Sequence, residues 1–540
     1  MGGYRGTRGG AKPRAWRRLG ILGAAFFLVA CAGQDTRVSA GTALSGAERL
    51  FSAGYGDVED IYIQDVPIDA LAIDGLNSLS TVDAEISVTR AGSWVEVARS
   101  GAQLGRFPAP APSDAEGWGA VTAAVIGLAR ERSDEIASAQ PERLYEAVFD
   151  GMLADLDAFS RYAGRDEARE NRASRDGFGG IGVRIRLVDE GVRILSVMEE
   201  TPAERSGLRD NDIITRIDNQ PTTGLNQREI VRRLRGPLRS RVSLTVRRET
   251  ARAPLQIEVA RAHIVPQTVR YQRLGRIARL RVSGFNQSTT RTLRDKIRQA
   301  TREIGPDLAG FILDLRGNPG GLLDQSVAVS DLFISAGRIV STHGRHPDSH
   351  QYFDAEPDDL ARDKPIVVIV NGNSASASEI VAAALQDSGR AVVVGTNSFG
   401  KGTVQTVLRL PNEGELILTW ARFLAPSGYA LHKRGVMPDV CTAGLADQAD
   451  AEALARLRSG GLSVDRGLLR ADLPMGDGTE IDTFRATCPG GQGEPEVDLE
   501  VARRLIEDPA LFARVLHGAP SETVSTSAPG TRSMLAGGTR

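Results

Sequence analysis

The sequence predicts a multidomain α/β protein, and three observations carry that reading. Ile366–Val370 and Ala391–Val394 are short continuous apolar runs bounded by turn residues, the signature of strands covered on both faces. Between them the stretch from Glu379 onward has helical composition and is closed by Gly389. Upstream, Ile277–Val282 and Phe311–Leu315 read as strands with a helix over Thr290–Ile304 between them, so strands alternate with helices. At 540 residues the chain has room for three or four domains. Its 41% hydrophobic and 25% charged residues and net charge of −2 are ordinary for a globular protein and mark no nucleic-acid partner.

Residues 1–30 read as a targeting segment. Six basic residues (Arg5, Arg8, Lys12, Arg14, Arg17, Arg18) precede an apolar run from Leu19 to Ala30, with no acidic residue before Asp35. That run is too short to span a bilayer, which needs about 20 residues, and suits a secretory signal. It ends in Leu28-Val29-Ala30-Cys31, which resembles a bacterial lipobox, so Cys31 is the expected lipidated first residue of a membrane-anchored lipoprotein. The expected location is the cell envelope, facing the periplasm or exterior. Lipidation of Cys31 leaves Cys441 and Cys488 as an even pair for an oxidising compartment. A disulfide between them is expected to pin the tail to the core, worth about 3–4 kcal/mol in the chain-entropy model.

Residues 31–118 carry the weakest pattern. A helix over 43–52, short strands at Ile61–Ile63 and Trp94–Val97, and a linker at Phe107–Pro112 are expected there. The segment 119–175 reads as helical. Ala70–Ser87 faintly echoes Tyr145–Tyr162, which leaves a degenerate duplication or chance as alternatives. Residues 176–262 resemble a PDZ domain in four features taken in order. Gly179-Gly180-Ile181-Gly182 resembles the loop whose backbone N–H groups hold a C-terminal carboxylate. Ser206–Ile214 is the turn-plus-strand phrase, Leu225–Leu234 has apolar residues at helical spacing, and Val242, Leu244 and Val246 alternate as a closing strand does. Residues 263–442 form the α/β core, 443–518 a C-terminal region with a helix expected at Leu499–Leu505, and 519–540 a tail of disordered composition.

Chemistry concentrates in the core. A serine-rich turn between Val370 and the following helix puts a hydroxyl where backbone N–H groups converge and the helix dipole favours negative charge. Downstream, Lys401 stands between Gly400 and Gly402. Gly395 to Lys401 spells G-x-x-x-x-G-K, but Gly402 follows where a phosphate-binding loop needs Ser or Thr, so an NTPase reading falls. The remaining readings are a surface lysine in a turn and a general base for Ser376. His343, His346 and His350 lack metal-ligand spacing and lie among Gly, Pro, Asp and Ser, which reads as a solvated loop. No metal or other cofactor is expected.

Ser374-Ala375-Ser376-Ala377-Ser378-Glu379, followed by Phe399-Gly400-Lys401-Gly402-Thr403-Val404-Gln405, resembles the C-terminal processing peptidases, or tail-specific proteases. Asp314-Leu315-Arg316-Gly317-Asn318-Pro319-Gly320-Gly321 matches that family's D-L-R-x-N-x-G-G phrase, and its closing motifs match Thr419–Phe423, Pro426–Gly428 and Gly435–Asp439. The likeness covers roughly residues 142–440. It implies a ClpP/crotonase-like α/β protease core with an inserted, mostly-β PDZ domain and a helical N-terminal segment. It also implies a serine endopeptidase with Ser376 as nucleophile, Lys401 as general base, Gln405 orienting the lysine, and Gly321 and Ala377 N–H groups as oxyanion donors. The expected partners are protein or peptide substrates with accessible C-termini, the membrane, and an adaptor. The rival from another class is a catalytically silent, lipid-anchored PDZ scaffold. A lysine acting near pH 7.5 needs its pKa depressed by about 3 units from ~10.4, roughly 4 kcal/mol. That demands a dry site with no carboxylate beside the amine.

Overall fold

The computed structural model describes residues 45–445, 455–464, 478–493 and 495–517. The expectations for residues 1–30, Cys31 and 519–540 lie outside them. No helix among the described residues is long and apolar enough to cross a membrane.

The first described element is the helix Gly46–Ile61, opened by a capping box in which Ser45 Oγ accepts the Glu48 N–H and Glu48 accepts the Ser45 N–H. Its apolar stripe Phe51, Tyr55 and Val58 continues to Tyr62, whose N–H donates to Val58 O. Ile61 therefore ends a helix, and the strand expected at Ile61–Ile63 is absent: the period there is helical. A three-stranded meander follows (Ile86–Ala91, Trp94–Arg99, Ala102–Pro108), so Phe107 and Pro108 close a strand and the linker begins at Ala109. Helices Ala115–Arg132 and Pro141–Leu153 complete this helical domain.

The two echoing segments are packed on one another. A Cβ at Gly75 would lie 2.7 Å from Val148 O, and one at Gly151 would lie 2.8 Å from Asp74 O. Each Asp-Gly pair thus lets its helix approach the other's backbone. The domain's core also takes Leu410, Leu416 and Leu418 from a distant hairpin, Thr403–Arg409 with Glu415–Leu424. At that hairpin Glu415 is buried and paired with Arg172 and Arg175.

The PDZ domain has its own closed core, all of it drawn from residues 181–259. Its sheet runs Leu255–Ala260, Arg241–Arg247, Ile213–Ile217, Gly191–Val197, Val183–Val188, which leaves Val183–Val188 at one edge. Ile230 and Leu234 of the helix Gln227–Leu234 are buried in the core, as alternating and helical periods predict.

The core sheet orders its strands Val269–Leu274, Ile277–Val282, Gly310–Asp314, Ile366–Val370, Val392–Gly395, Val440–Cys441. Only the first pair is antiparallel. Alternate residues of Ile366–Val370 enter different cores. Ile366, Val368 and Val370 meet the helices Thr289–Ile304 and Ala377–Asp387, while Val367 and Ile369 meet the C-terminal helices Pro495–Glu507 and Pro509–His517. The region 443–518 is thus partly a layer of the core, covering the sheet's second face, and not an appendage. A second sheet runs Gln351–Asp354, Arg338–His343, Glu415–Leu424, Thr403–Arg409. His343 ends one of its strands, and its Nδ1 lies 3.2 Å from His350 Nδ1 across the turn. Cys441 and Cys488 form a disulfide with their Cα atoms 5.9 Å apart.

Candidate active site

Strand Ile366–Val370 ends at a turn whose three serines have different duties. Ser374 Oγ donates to Leu315 O, and Ser378 Oγ donates to Asn318 O and Ala375 O, so both are fully buried and committed to backbone. Ser376 alone is partly exposed. Its backbone sits at φ 55° and ψ −116°, a conformation that costs a non-glycine residue about 1–3 kcal/mol. It stands at the N-terminus of the helix Ala377–Asp387, where the first N–H groups have no partner within the helix.

The strain is held from both sides. The Asp314–Gly321 loop crosses under the turn: Ala375 N–H donates to Asn318 O (2.9 Å), and Gly317 N–H to Asn371 Oδ1 (3.0 Å). Gly320 presses on Ser376 itself, since a Cβ there would lie 2.9 Å from Ser376 Cβ and 3.0 Å from Ala377 N. Gly321 packs on Phe285, where a Cβ would lie 2.1 Å from Phe285 O. Buried Asp314 anchors the loop. Burial alone would raise its pKa, but hydrogen bonds and charge from Arg316 and Arg279 hold it down at about 2. Arg316 also reaches Asp498 on the C-terminal helix, so the tail layer braces this motif.

Glu379 joins the Ser376 and Lys401 loops. Its fully buried carboxylate accepts Ser376 N–H (2.7 Å) and Lys401 N–H (2.9 Å) on one oxygen. The other oxygen accepts Gly400 N–H (2.7 Å) and the Ser398 hydroxyl (2.5 Å). Ser398 Oγ already accepts the Val436 N–H, so its proton goes to Glu379. Burial raises the Glu379 pKa, and the four donors oppose that rise. No acceptor remains for a carboxyl proton, so the geometry suits the ionised form.

Lys401 is placed by its backbone. Gly402 lies against the next segment so closely that a Cβ would be 2.0 Å from His432 N. Arg485, on the helix Gly478–Ala486, donates to Ser398 O, Lys433 O and Arg434 O, tying the tail to this loop near the disulfide. The Lys401 side chain is half-buried and, among the described residues, makes no hydrogen bond, to Ser376 or to any other group. Its Nζ lies 4.7 Å from the centre of the Phe159 ring. Burial lowers its pKa and Arg161 lowers it further, while Asp157 and Glu379 act the other way. The expectation of no neighbouring carboxylate is therefore not met. Burial, the largest effect, outweighs both carboxylates and leaves the shift downward.

Gln405 does not reach the lysine here: its Nε2 donates to Thr403 Oγ1 (2.8 Å) and Thr419 Oγ1 (3.2 Å). Thr419 in turn donates to Asp157 Oδ1 (3.0 Å). With the amide N–H groups spent on the threonines, Oε1 is the end left to accept from an amine. In the PDZ domain, Gly179 and Gly180 lie in a short ladder with Ala262–Ile264. The carbonyls of Gly179, Ile181 and Gly182 accept N–H groups of Gly236, Ala203 and Met198, so this loop also anchors the domain's own fold.

Sequence reasoning missed Asp157, Phe159, His432 and Arg485. These line a cavity of about 630 Å³ beside the Lys401 loop, together with Tyr62 and Phe399, and Ser376 is not in its wall. Phe399 is 50% exposed at its rim. Among the described residues His432 Nδ1 is buried without a hydrogen bond, and its pKa is lowered by burial and by Arg422 and Lys433. The adjacency of Leu431-His432-Lys433 to the closing motifs was the one signal available.

Residues 276–442 match peptidase family S41, and residues 193–248 match a PDZ domain. The "Carboxy-terminal-processing protease" of Bartonella bacilliformis is 40% identical over 313 residues, 58% of this chain and 72% of that protein. A "Probable CtpA-like serine protease" of Staphylococcus aureus is 32% identical over 312 residues, 57% of this chain and 62% of that protein. The solved photosystem II D1 C-terminal processing protease aligns at 22% identity and a TM-score of 0.39, covering 79% of this chain and 98% of that one. With the Bartonella relative this similar over nearly three quarters of its length, the chain belongs to peptidase family S41 as a carboxy-terminal-processing serine protease with a PDZ domain.

Proposed function

We propose that the chain is an extracytoplasmic endopeptidase working through a Ser376–Lys401 dyad on proteins selected by their C-termini. The observation that carries the dyad is the shared Glu379 carboxylate, which fixes the backbone of both residues from one point. Ser376 attacks the scissile carbonyl, neutral Lys401 takes its proton, and the same amine returns it to the leaving nitrogen. The N–H groups of Gly321 and Ala377 receive the oxyanion, aided by the helix N-terminus. Gln405 Oε1 is the acceptor assigned to the Lys401 amine when it engages the serine.

Selection is assigned to the PDZ groove between the edge strand Val183–Val188 and the helix Gln227–Leu234. An extended peptide adds to that edge, and the Gly179–Gly182 loop is the reading for its carboxylate. Half-buried Val183 on the edge strand and Val231 on the helix favour apolar terminal residues, over a floor of buried Ile181 and Ile230. The envelope location and the lipid on Cys31 rest on the sequence of residues 1–31. The test is cleavage of an unstructured protein by the purified mature enzyme, with free and amidated C-termini. Loss of cleavage in Ser376→Ala and Lys401→Arg, and a lower kcat/KM on the amidated substrate, are expected. Full activity of Lys401→Arg would end the dyad, because arginine keeps the charge but gives up no proton.

A further inference from the structure

Phe159 comes from the helical domain, far in sequence from either catalytic loop, and its position is locked. The Asp157 carboxylate accepts the N–H groups of Phe159 (2.7 Å) and Ser160 (3.0 Å) and the Ser160 hydroxyl (2.6 Å). Ser160 Oγ accepts the Thr419 N–H (3.1 Å), and Thr419 Oγ1 donates to Asp157, so the turn is riveted to the strand that pairs with Gln405. This rigid turn presents the ring face to Lys401 Nζ at 4.7 Å.

A ring face attracts an ammonium through its quadrupole and has little pull on a neutral amine. The two protonation states of Lys401 therefore differ in where the side chain is held. As a cation it rests on Phe159. As an amine it is not held there, and in its place over the ring Lys401 makes no hydrogen bond to Ser376 among the described residues. We propose that Phe159 is a positioning residue for the dyad: its ring parks the charged lysine away from the nucleophile and lets it go on loss of the proton. The proposal rests on the dyad reading above and adds to it an aromatic parking place supplied by another domain.

The charged and titratable groups around this contact are Asp157 and Arg161 from the helical domain and Glu379 from the nucleophile helix. Tyr62, Arg422, His432, Lys433, Asp482 and Arg485 line the adjoining cavity. None of them changes when Phe159 does, so Phe159→Leu isolates the ring face while keeping apolar bulk. By stabilising the cation, the ring holds the lysine's titration above where burial alone would put it.

The test reads Lys401 directly. The chain has only five lysines (Lys12, Lys296, Lys364, Lys401, Lys433), so lysine-labelled protein gives a resolvable set of side-chain resonances, with Lys401 identified by its loss in Lys401→Arg. In a Ser376→Ala background, Phe159→Leu is expected to lower the Lys401 midpoint by about half a pH unit, and Phe159→Trp to raise it. In the active enzyme, the acid limb of kcat/KM should shift by the same amount, about threefold faster below the midpoint. A purely structural role would lower the rate at every pH instead. An unchanged or raised midpoint in Phe159→Leu overturns the proposal, and Phe159→Met repeats the test if the leucine variant does not fold. A rate profile that ignores a shifted Lys401 midpoint retires the dyad and the parking role with it. A rate profile that still tracks an unshifted Lys401 retires Phe159 alone.

Discussion

The loops that carry Ser376 and Lys401 are built on opposite plans. Around Ser376 every neighbouring polar group is committed: Ser374 and Ser378 to backbone carbonyls, Asn318 to three segments, Asp314 to its arginines. Around Lys401 the backbone is equally fixed, by Glu379, Gly402 and Arg485, but among the described residues the side chain has no hydrogen bond and rests on an aromatic face. The difference suits the chemistry proposed for each. An oxyanion needs N–H groups already in place, so precision is useful there. A base must shed its own proton, and every acceptor offered to it would hold that proton in place.

If the contrast is right, removing either reacting group should produce the largest effect. Ser376→Ala and Lys401→Arg are each expected to lose about 10⁴-fold in kcat or more, with thermal midpoints near the parent's. A melting point that collapses in either variant would mean the loop, and not the reacting group, had been measured. Glu379→Gln attacks what the two sides share. The amide would point N–H groups at two existing donors, and about 3 kcal/mol of stability is expected to go, with both loops loosened. Denaturant unfolding followed alongside residual activity separates the two losses.

A third measurement bears on the committed side alone. Asp314 has its folded pKa depressed, so its contribution is present above the unfolded value near 3.8 and is lost as pH falls through about 2. The stability gap between the parent and Asp314→Asn should therefore be flat above pH ~5 and shrink by about 2 kcal/mol below it. A gap independent of pH would show that the arginines do not set this carboxyl. The smallest effect is expected at Gln405→Ala, about tenfold in kcat with little change in stability, because one neutral hydrogen bond to the amine is at stake. A loss in stability matching the loss in rate would make Gln405 a strand residue only.

The protease fold was legible because buried parallel strands are continuous apolar runs, and Ile366–Val370 and Val392–Gly395 stand out against the turns that bound them. The PDZ domain was legible for a related reason: its strands alternate, and its motifs come in fixed order. Two kinds of feature were hidden. Asp157 and Phe159 sit in a helix-flanking turn where nothing local distinguishes them, and only the pairing of Thr419 with that turn brings them to Lys401. The C-terminal layer was hidden differently. Val497, Val501 and Leu505 do show helical spacing, but spacing cannot say which sheet face a helix covers. At Ile61–Ile63 a run of apolar residues too short to carry a period read as a strand, where the preceding helix had simply continued to Ile61.

The hairpin that follows Lys401 decides which parts of this chain can be separated. Leu410, Leu416 and Leu418 at its far end are buried among the helices of the first domain, with Glu415 clasped by Arg172 and Arg175. The PDZ domain, by contrast, keeps its apolar residues to itself. A chain cut back to residue 142, where the family motifs begin, would strip the cover from that hairpin and should aggregate, whereas excising residues 176–262 leaves no such wound. The helical segment and the protease therefore stand or fall together, and the PDZ domain is the part whose stability is its own affair.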